Sequence, residues 1–203
     1  MQDDAAGLAS IDHVAHALPA HRLDSFVLFY RAIFGMEAEP EQEIADPYGL
    51  VKSRAMVSPD RNVRIPLNVS ESGRTATGRL IAAYAGSGVH HIAFRTERLF
   101  ETIEAIDRGA AHLQHVPENY YDDVAARLGL DDALLTRLHD DGLLYDRDPH
   151  GDFLHTYTEP FRERFFFELV QRNGYLGYGA ANAAVRMAVQ AQLSRTTTNT
   201  ADH

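Results

Sequence analysis

Two hydrophobic periods alternate along the chain. Ile11–Leu18 (IDHVAHAL) has the short apolar–polar alternation of a strand. The period then lengthens. Phe26, Phe29, Tyr30, Ile33 and Phe34 fall on one helical stripe, and Gly35 is a stop signal. The same order returns further on: His90–Thr96 (HHIAFRT) reads as a strand, Leu99, Phe100, Ile103 and Ile106 as a helical stripe, and Gly109 as its stop. Both strand–helix units carry a His on the strand and a Gly after the helix. Such an echo predicts two copies of one supersecondary module packed together.

Segments of strand character follow each helix. They are Gln42–Ile44, Leu50–Val57 and Asn62–Val69 in the first copy, and His112–Val116, Asp152–Thr158 and Arg164–Gln171 in the second. Each module is therefore expected to run strand–helix–strand–strand–strand. Module one spans 10–72 and module two 88–173, within one domain of 10–190, with a linking helix at 75–84. Asn119–Leu128 and Asp131–His139 read as two short helices inserted in module two, and a last helix covers 182–192. Residues 1–9 are small and acidic, and 194–203 are polar without periodicity, so both ends are expected to be flexible or disordered.

Glu168 carries the chemistry in this pattern. Phe165, Phe166, Phe167, Leu169 and Val170 surround it, which implies a strand buried on both faces. An ionised carboxylate there must be paired or must bind a metal. Pairing with Arg95 or Arg186 is the structural alternative. The strand histidines point to the metal: His91 follows His13 by 78 positions and Glu168 follows His91 by 77, close to the module repeat. Two His and one carboxylate leave several positions of a metal open, the ligand set of non-heme Fe(II) oxygenases. Strand alternation puts His16 opposite His13 and His90 opposite His91. Periodicity alone does not choose between the members of each pair.

Composition narrows the classes. The 203 residues are 45% hydrophobic and 24% charged, an ordinary globular balance. With 19 Lys and Arg against 29 Asp and Glu the formal charge is −10, which argues against nucleic acid as a partner. The absence of Cys excludes disulfides, thiolate metal sites and cysteine nucleophiles. No apolar run reaches the roughly 18 residues of a membrane span, and MQDDAAGLAS lacks the features of a signal peptide, so the expected location is the cytoplasm. The acidic pairs Asp122-Asp123, Asp131-Asp132 and Asp140-Asp141 read as helix caps and solvated faces. Tyr120 and Tyr121 read as packing for the insertion, and His112, His115, His139 and His150 as surface residues. GYLGYGAAN lacks the strand-to-helix context of a dinucleotide loop.

The succession RIPLN, GSGVHHIAF, NYYDD and FFFELVQRNGY resembles the carboxyl-terminal, catalytic half of 4-hydroxyphenylpyruvate dioxygenase, a vicinal oxygen chelate family. The resemblance implies an α+β fold of two paired βαβββ modules forming one open barrel around a metal site. It also implies His13, His91 and Glu168 as the ligands, and Asn68 as a pocket residue. Two positions depart from the family. Its Gln and aromatic on the third strand of module two are here His155 and Tyr157, and its Gly-Asn-Phe at the closing helix is here Ala181-Asn182-Ala183. Losing a stacking Phe removes about 1 kcal/mol or more of contact to an aromatic ring. A smaller acid bound near Asn68, His155, Tyr157 and Asn182 is therefore expected.

LNVSESGRTA, ENYYDDVAARLGLDDALL, LLYDRDPHGDFLHTYTEPFRERFFFELVQR and GYGAANAAVRMA resemble more closely the dioxygenase-like domain fused behind the barrel of bacterial two-domain 3-dehydroshikimate dehydratases. In those proteins dehydration is assigned to a sugar-phosphate-isomerase-like barrel. Two functions follow as expectations. One is a non-heme Fe(II) dioxygenase-like oxidoreductase acting on a small keto or hydroxy acid of quinate–shikimate breakdown, with Mg, Mn or Co as other candidate metals. The other is a metal-stabilised accessory domain that docks onto a dehydratase barrel or forms a homodimer.

Overall fold

A computed structural model describes residues 7–107, 112–161 and 164–200, with 193–200 as backbone alone. In chain order the elements are β1 (Leu8–Pro19), α1 (Leu23–Phe34), β2 (Glu37–Ala38), β3 (Gln42–Asp46), β4 (Gly49–Val57), β5 (Arg64–Ser70) and α2 (Ala76–Tyr84). Then follow β6 (Gly88–Thr96), α3 (Leu99–Asp107), α4 (Glu118–Leu128), α5 (Asp132–Asp140), β7 (Leu144–Asp148), β8 (Gly151–Tyr157), β9 (Phe166–Asn173) and α6 (Ala180–Thr200). The repeats β1-α1-β3-β4-β5 and β6-α3-β7-β8-β9 are the two βαβββ modules. The helices α4 and α5 form the insertion in the second, and α2 links the two.

Contacts divide the chain into two compact units that do not coincide with these modules. One holds Ile11–Ile92, Pro160–Phe166 and the chain from Met187 onward; the other holds Ala93–Glu159, Phe167–Arg186 and the chain up to Ser10. In the first unit the strand order is β2-β4-β5-β1-β6, with β3 also paired to β4. The β1–β5 pair is parallel, with His16 opposite Leu67 and Ala17 opposite Asn68. Leu18, Met56, Leu67 and Val69 pack against Leu23, Val27 and Tyr30 of α1. In the second unit the order is β6-β9-β8-β7. There Phe153, His155 and Tyr157 stand opposite Arg172, Val170 and Glu168. Ala93, Phe153, Val170 and Tyr175 form a core cluster.

Three expectations differ from what is observed. The second strand of module two is β7, not His112–Val116, where Leu113 makes a single bridge to Thr158. The stretch LYDRD becomes a strand because a tight turn folds it back on β8, Asp148 pairing with Gly151. The Asp148 carboxylate holds that turn by accepting from the His150 and Gly151 amides at 2.7 and 3.0 Å. The buried stripe of α1 is Leu23, Val27 and Tyr30, while Phe29, Ile33 and Phe34 are 50%, 65% and 60% exposed. Phe29 and Ile33 lie about a quarter turn or more from the buried stripe, while Phe34 continues that stripe beyond its last buried residue. The α6 backbone continues past the expected 182–192 to Thr200, through a Ser/Thr/Asn run whose helix propensity is low but not prohibitive. Gly109 lies outside the described residues.

Candidate metal centre

In the unit containing Ile11–Ile92, β1 sends alternate side chains to opposite faces. Leu18 faces α1, as does His16, whose ring lies 6.5 Å from that of Tyr30; burial lowers the His16 pKa below its ordinary value. His13, Ala15 and Ala17 take the other face. Asn68, opposite Ala17 in the parallel pair, shares that second face and is buried. His13 is buried, and its Nδ1 lies 2.9 Å from Asp12 Oδ1. A carboxylate only accepts, so the neutral ring carries its proton on Nδ1 and keeps a lone pair on Nε2. That Nε2 lies 3.1 Å from His91 Nε2.

His91 is held from two sides. Its Nδ1 is 2.7 Å from His90 Nδ1, and its ring stacks on Phe166 with centroids 5.0 Å apart and planes 18° from parallel. Two buried imidazole nitrogens this close need a proton or a cation between them. Nitrogens bound to one ion at about 2.1 Å and roughly at right angles stand about 3 Å apart. The pair therefore fits two neighbouring ligands of a single ion.

In the other unit, Glu168 is 1% exposed. Along β9, Glu168, Val170 and Arg172 share a face with their partners Tyr157, His155 and Phe153. Leu169 and Gln171 take the opposite face, where the Gln171 amide oxygen accepts from the first amide of α3 at 2.9 Å. Glu168 Oε1 lies 2.8 Å from His155 Nδ1. The Tyr157 hydroxyl also bonds Glu168 and Arg186; burial first, and then the Glu168 charge, push its pKa well above the ordinary phenol value. Of the two arginines considered as partners for Glu168, Arg95 pairs with Glu97 at 2.8 Å, and Arg186 lies 5.4 Å from the Tyr157 ring.

His155 is 0% exposed, and its Nε2 lies 3.0 Å from Asn182 Nδ2. Asn182 Nδ2 also donates to the Tyr145 carbonyl at 3.0 Å, and its Oδ1 meets the Tyr120 hydroxyl at 3.2 Å. Three of the four side chains expected near a substrate, His155, Tyr157 and Asn182, thus belong to one bonded network around Glu168. His155, expected near a substrate, has both ring nitrogens engaged by protein. Ala183, the position of the absent Phe, is buried.

Sequence reasoning missed Asp12 and the reach of Tyr120. Asp12 was legible as the neighbour of a strand His; it is buried and has Arg64 3.8 Å from its second oxygen. Tyr120, read as packing, is buried, and a buried phenol must find a polar partner. Asp131 does cap α5, accepting from the Leu134 amide at 2.9 Å, and His112, His115, His139 and His150 are exposed.

Comparison with known proteins adds four findings. Residues 10–152 match the glyoxalase/bleomycin resistance protein/dioxygenase superfamily. The chain is 52% identical over 191 residues to the 3-dehydroshikimate dehydratase of Pseudomonas aeruginosa, covering 93% of this chain and 30% of that protein. It is 31% identical over 179 residues to the 4-hydroxyphenylpyruvate dioxygenase of Legionella pneumophila, covering 87% of this chain and 51% of that one. A solved xylose isomerase-like TIM barrel/4-hydroxyphenylpyruvate dioxygenase fusion protein superposes with a TM-score of 0.77 at 48% identity, over 92% of this chain and 29% of the fusion. The chain spans under a third of the dehydratase and about half of the dioxygenase.

Proposed function

Because the chain belongs to the glyoxalase/bleomycin resistance protein/dioxygenase superfamily, we propose that it is a divalent-metal oxidoreductase of the 4-hydroxyphenylpyruvate dioxygenase kind, with His13, His91 and Glu168 as ligands. The observation that carries this is the 3.1 Å approach of His13 Nε2 to His91 Nε2 in buried surroundings. Strand alternation supports Glu168 as the third ligand. Phe166, on which His91 stacks, precedes Glu168 by two positions on β9 and so shares its face. His13, His91 and Glu168 also make up a buried group of the composition that could hold an ion.

A bound divalent ion, Fe(II) by the ligand set, would supply Lewis acidity and one-electron chemistry to a keto or hydroxy acid. The protein's part is orientation and exclusion of water. Asp12 fixes the His13 ring by accepting a hydrogen bond from its Nδ1–H, and Phe166 fixes the plane of His91. Asn68 lies on the His13 face, where its amide can bond a carboxylate or hydroxyl of the substrate. With Ala183 in place of a stacking Phe, a small hydroxylated acid of the shikimate type fits this reading better than 4-hydroxyphenylpyruvate. His155 shapes that site from within the bonded network. The cytoplasm is the compartment in which such an enzyme of quinate–shikimate breakdown would act; no helix among the described residues is long and apolar enough to cross a membrane.

Anaerobic loading with Fe(II), followed by a screen of keto and hydroxy acids for oxygen uptake, tests the reading. Substrate-dependent uptake that Glu168→Ala abolishes is the expected result. No metal uptake would overturn it, while tight binding and turnover of 4-hydroxyphenylpyruvate with no response to 3-dehydroshikimate or protocatechuate would overturn the preference for a smaller hydroxylated acid.

One observation favours a second reading, an accessory domain for a separate barrel. Leu28, Phe29, Ile33 and Phe34 of α1 are all at least half exposed, and relatives at 52% and 48% identity carry this region as under a third of a longer chain. Clustered exposed apolar side chains mark interaction sites, and the Phe29 and Phe34 rings lie 5.7 Å apart. An isolated barrel that co-elutes with the chain, and is released by Phe29→Ser with Phe34→Ser, would support docking. Self-association lost in the same variant would instead make this face a homodimer contact.

A further inference from the structure

The Glu168 network contains a hydrogen-bond logic that fixes the Asn182 amide and, through it, the His155 ring. The Tyr145 carbonyl can only accept, so the Asn182 atom 3.0 Å away must be its NH2 group. The second hydrogen of that group points at His155 Nε2, also 3.0 Å away, which must therefore accept. The Asn182 carbonyl oxygen is left for the Tyr120 hydroxyl, itself anchored by the Tyr145 amide at 2.7 Å. With its Nε2 a lone pair, neutral His155 carries its proton on Nδ1, aimed at Glu168 Oε1 at 2.8 Å. Gly179 leaves room for the ring. A Cβ there would lie 2.9 Å from His155 Cε1 and 3.0 Å from Nε2, at a φ of +61°.

We propose that His155 is a positioning residue for Glu168: locked by Asn182 as its Nδ1–H tautomer, it donates to Oε1 and, together with the Tyr157 hydroxyl, orients the carboxylate toward an ion. The inference rests on the metal reading above and adds a determinant of how the carboxylate meets the ion. A hydrogen bond to Oε1 orients the carboxylate plane and draws electron density from one oxygen. Partners of this kind hold first ligands in place, and removing one weakens metal binding about 10- to 100-fold.

Two measurements test it. In metal-free protein labelled with 15N-histidine, the His155 ring should show the Nδ1–H tautomer, assigned by its loss in His155→Gln; the Nε2–H tautomer overturns the inference. In a Co(II) titration, His155→Leu should weaken binding about 10- to 100-fold and change the visible bands. His155→Gln, whose amide can still donate, should recover most of both. A folded His155→Leu that matches wild type in affinity and bands overturns the inference, as does a His155→Gln as impaired as Leu. If His155→Leu does not fold, Asn182→Ala applies the same test one bond away: a mixed tautomer and weaker Co(II) binding support the inference, and neither changing overturns it. Wild type that takes up no Co(II) defeats the metal reading and this inference with it. That failure is distinguishable, because the tautomer measurement needs no metal.

Discussion

A carboxylate 1% exposed costs several kcal/mol to desolvate unless its charge is met. For Glu168 the partners include His155, Tyr157 and, in our reading, an ion. Saturating metal, at about 100 times its Kd, should stabilise the fold by about 2.7 kcal/mol, a rise of about 5–10 °C in thermal midpoint. Glu168→Ala should abolish the rise and Glu168→Gln should largely do so, both read by thermal scans with and without chelator. Gly179→Ala should destabilise by about 1–2 kcal/mol from left-handed backbone strain alone, and further from the approach to His155. Its urea midpoint measures this. At this scale the ligand candidates were legible because a His or Glu within an apolar strand is conspicuous. The choice of His13 over His16 was not legible from period, since alternation states that they oppose without stating which faces α1. The link from Tyr120 to Asn182 spans 62 positions and leaves no local trace at all.

Single elements were read best where burial covers one face. β1, β4, β6, β8 and β9 fall near their expected spans because one or both faces are apolar. In α1 the large apolar residues suggest one stripe, whereas the contacts bury Leu23, Val27 and Tyr30. β7 was missed because turn chemistry, through Asp148, makes it a strand where period does not. Within the insertion, His139 of α5 bonds Glu118 of α4 at 2.7 Å and Asp140 at 3.2 Å, and these hydrogen bonds raise its pKa. A raised His pKa stabilises most fully below the ordinary value of about 6.5, and the contribution is lost as pH rises through the folded value. His139→Gln should therefore lower the urea midpoint slightly at about pH 5.5 and leave it unchanged at about pH 8.5. A deficit that persists at the higher pH would show packing, not charge, at work.

For the whole molecule, the 30% coverage of the dehydratase sets an expectation for activity. Incubated alone with 3-dehydroshikimate and metal, the chain should form no dehydration product by chromatography, while the acid itself binds more tightly than 4-hydroxyphenylpyruvate by calorimetry. Dehydration by this chain alone would relocate that chemistry into the present fold. Fold class was legible at this scale because the strand–helix repeat survives duplication as a visible period. The compact units were not legible, because they exchange chain inside strands rather than at linkers.

That exchange has a consequence for synthesis. The unit holding Ala93–Glu159 also takes in the start of β1, and the unit holding Ile11–Ile92 is completed by Pro160–Phe166 and the chain from Met187. At about 5–20 residues per second, a ribosome needs about 10–35 s to pass from β1 to the middle of α6. The strand neighbours of β1, β5 and β6, are made by residue 96, but the unit holding Ile11–Ile92 stays incomplete for the rest of that interval. Completion of that unit must wait for the last helix. The nascent chain meanwhile carries unpaired strand edges that chaperones would have to shield.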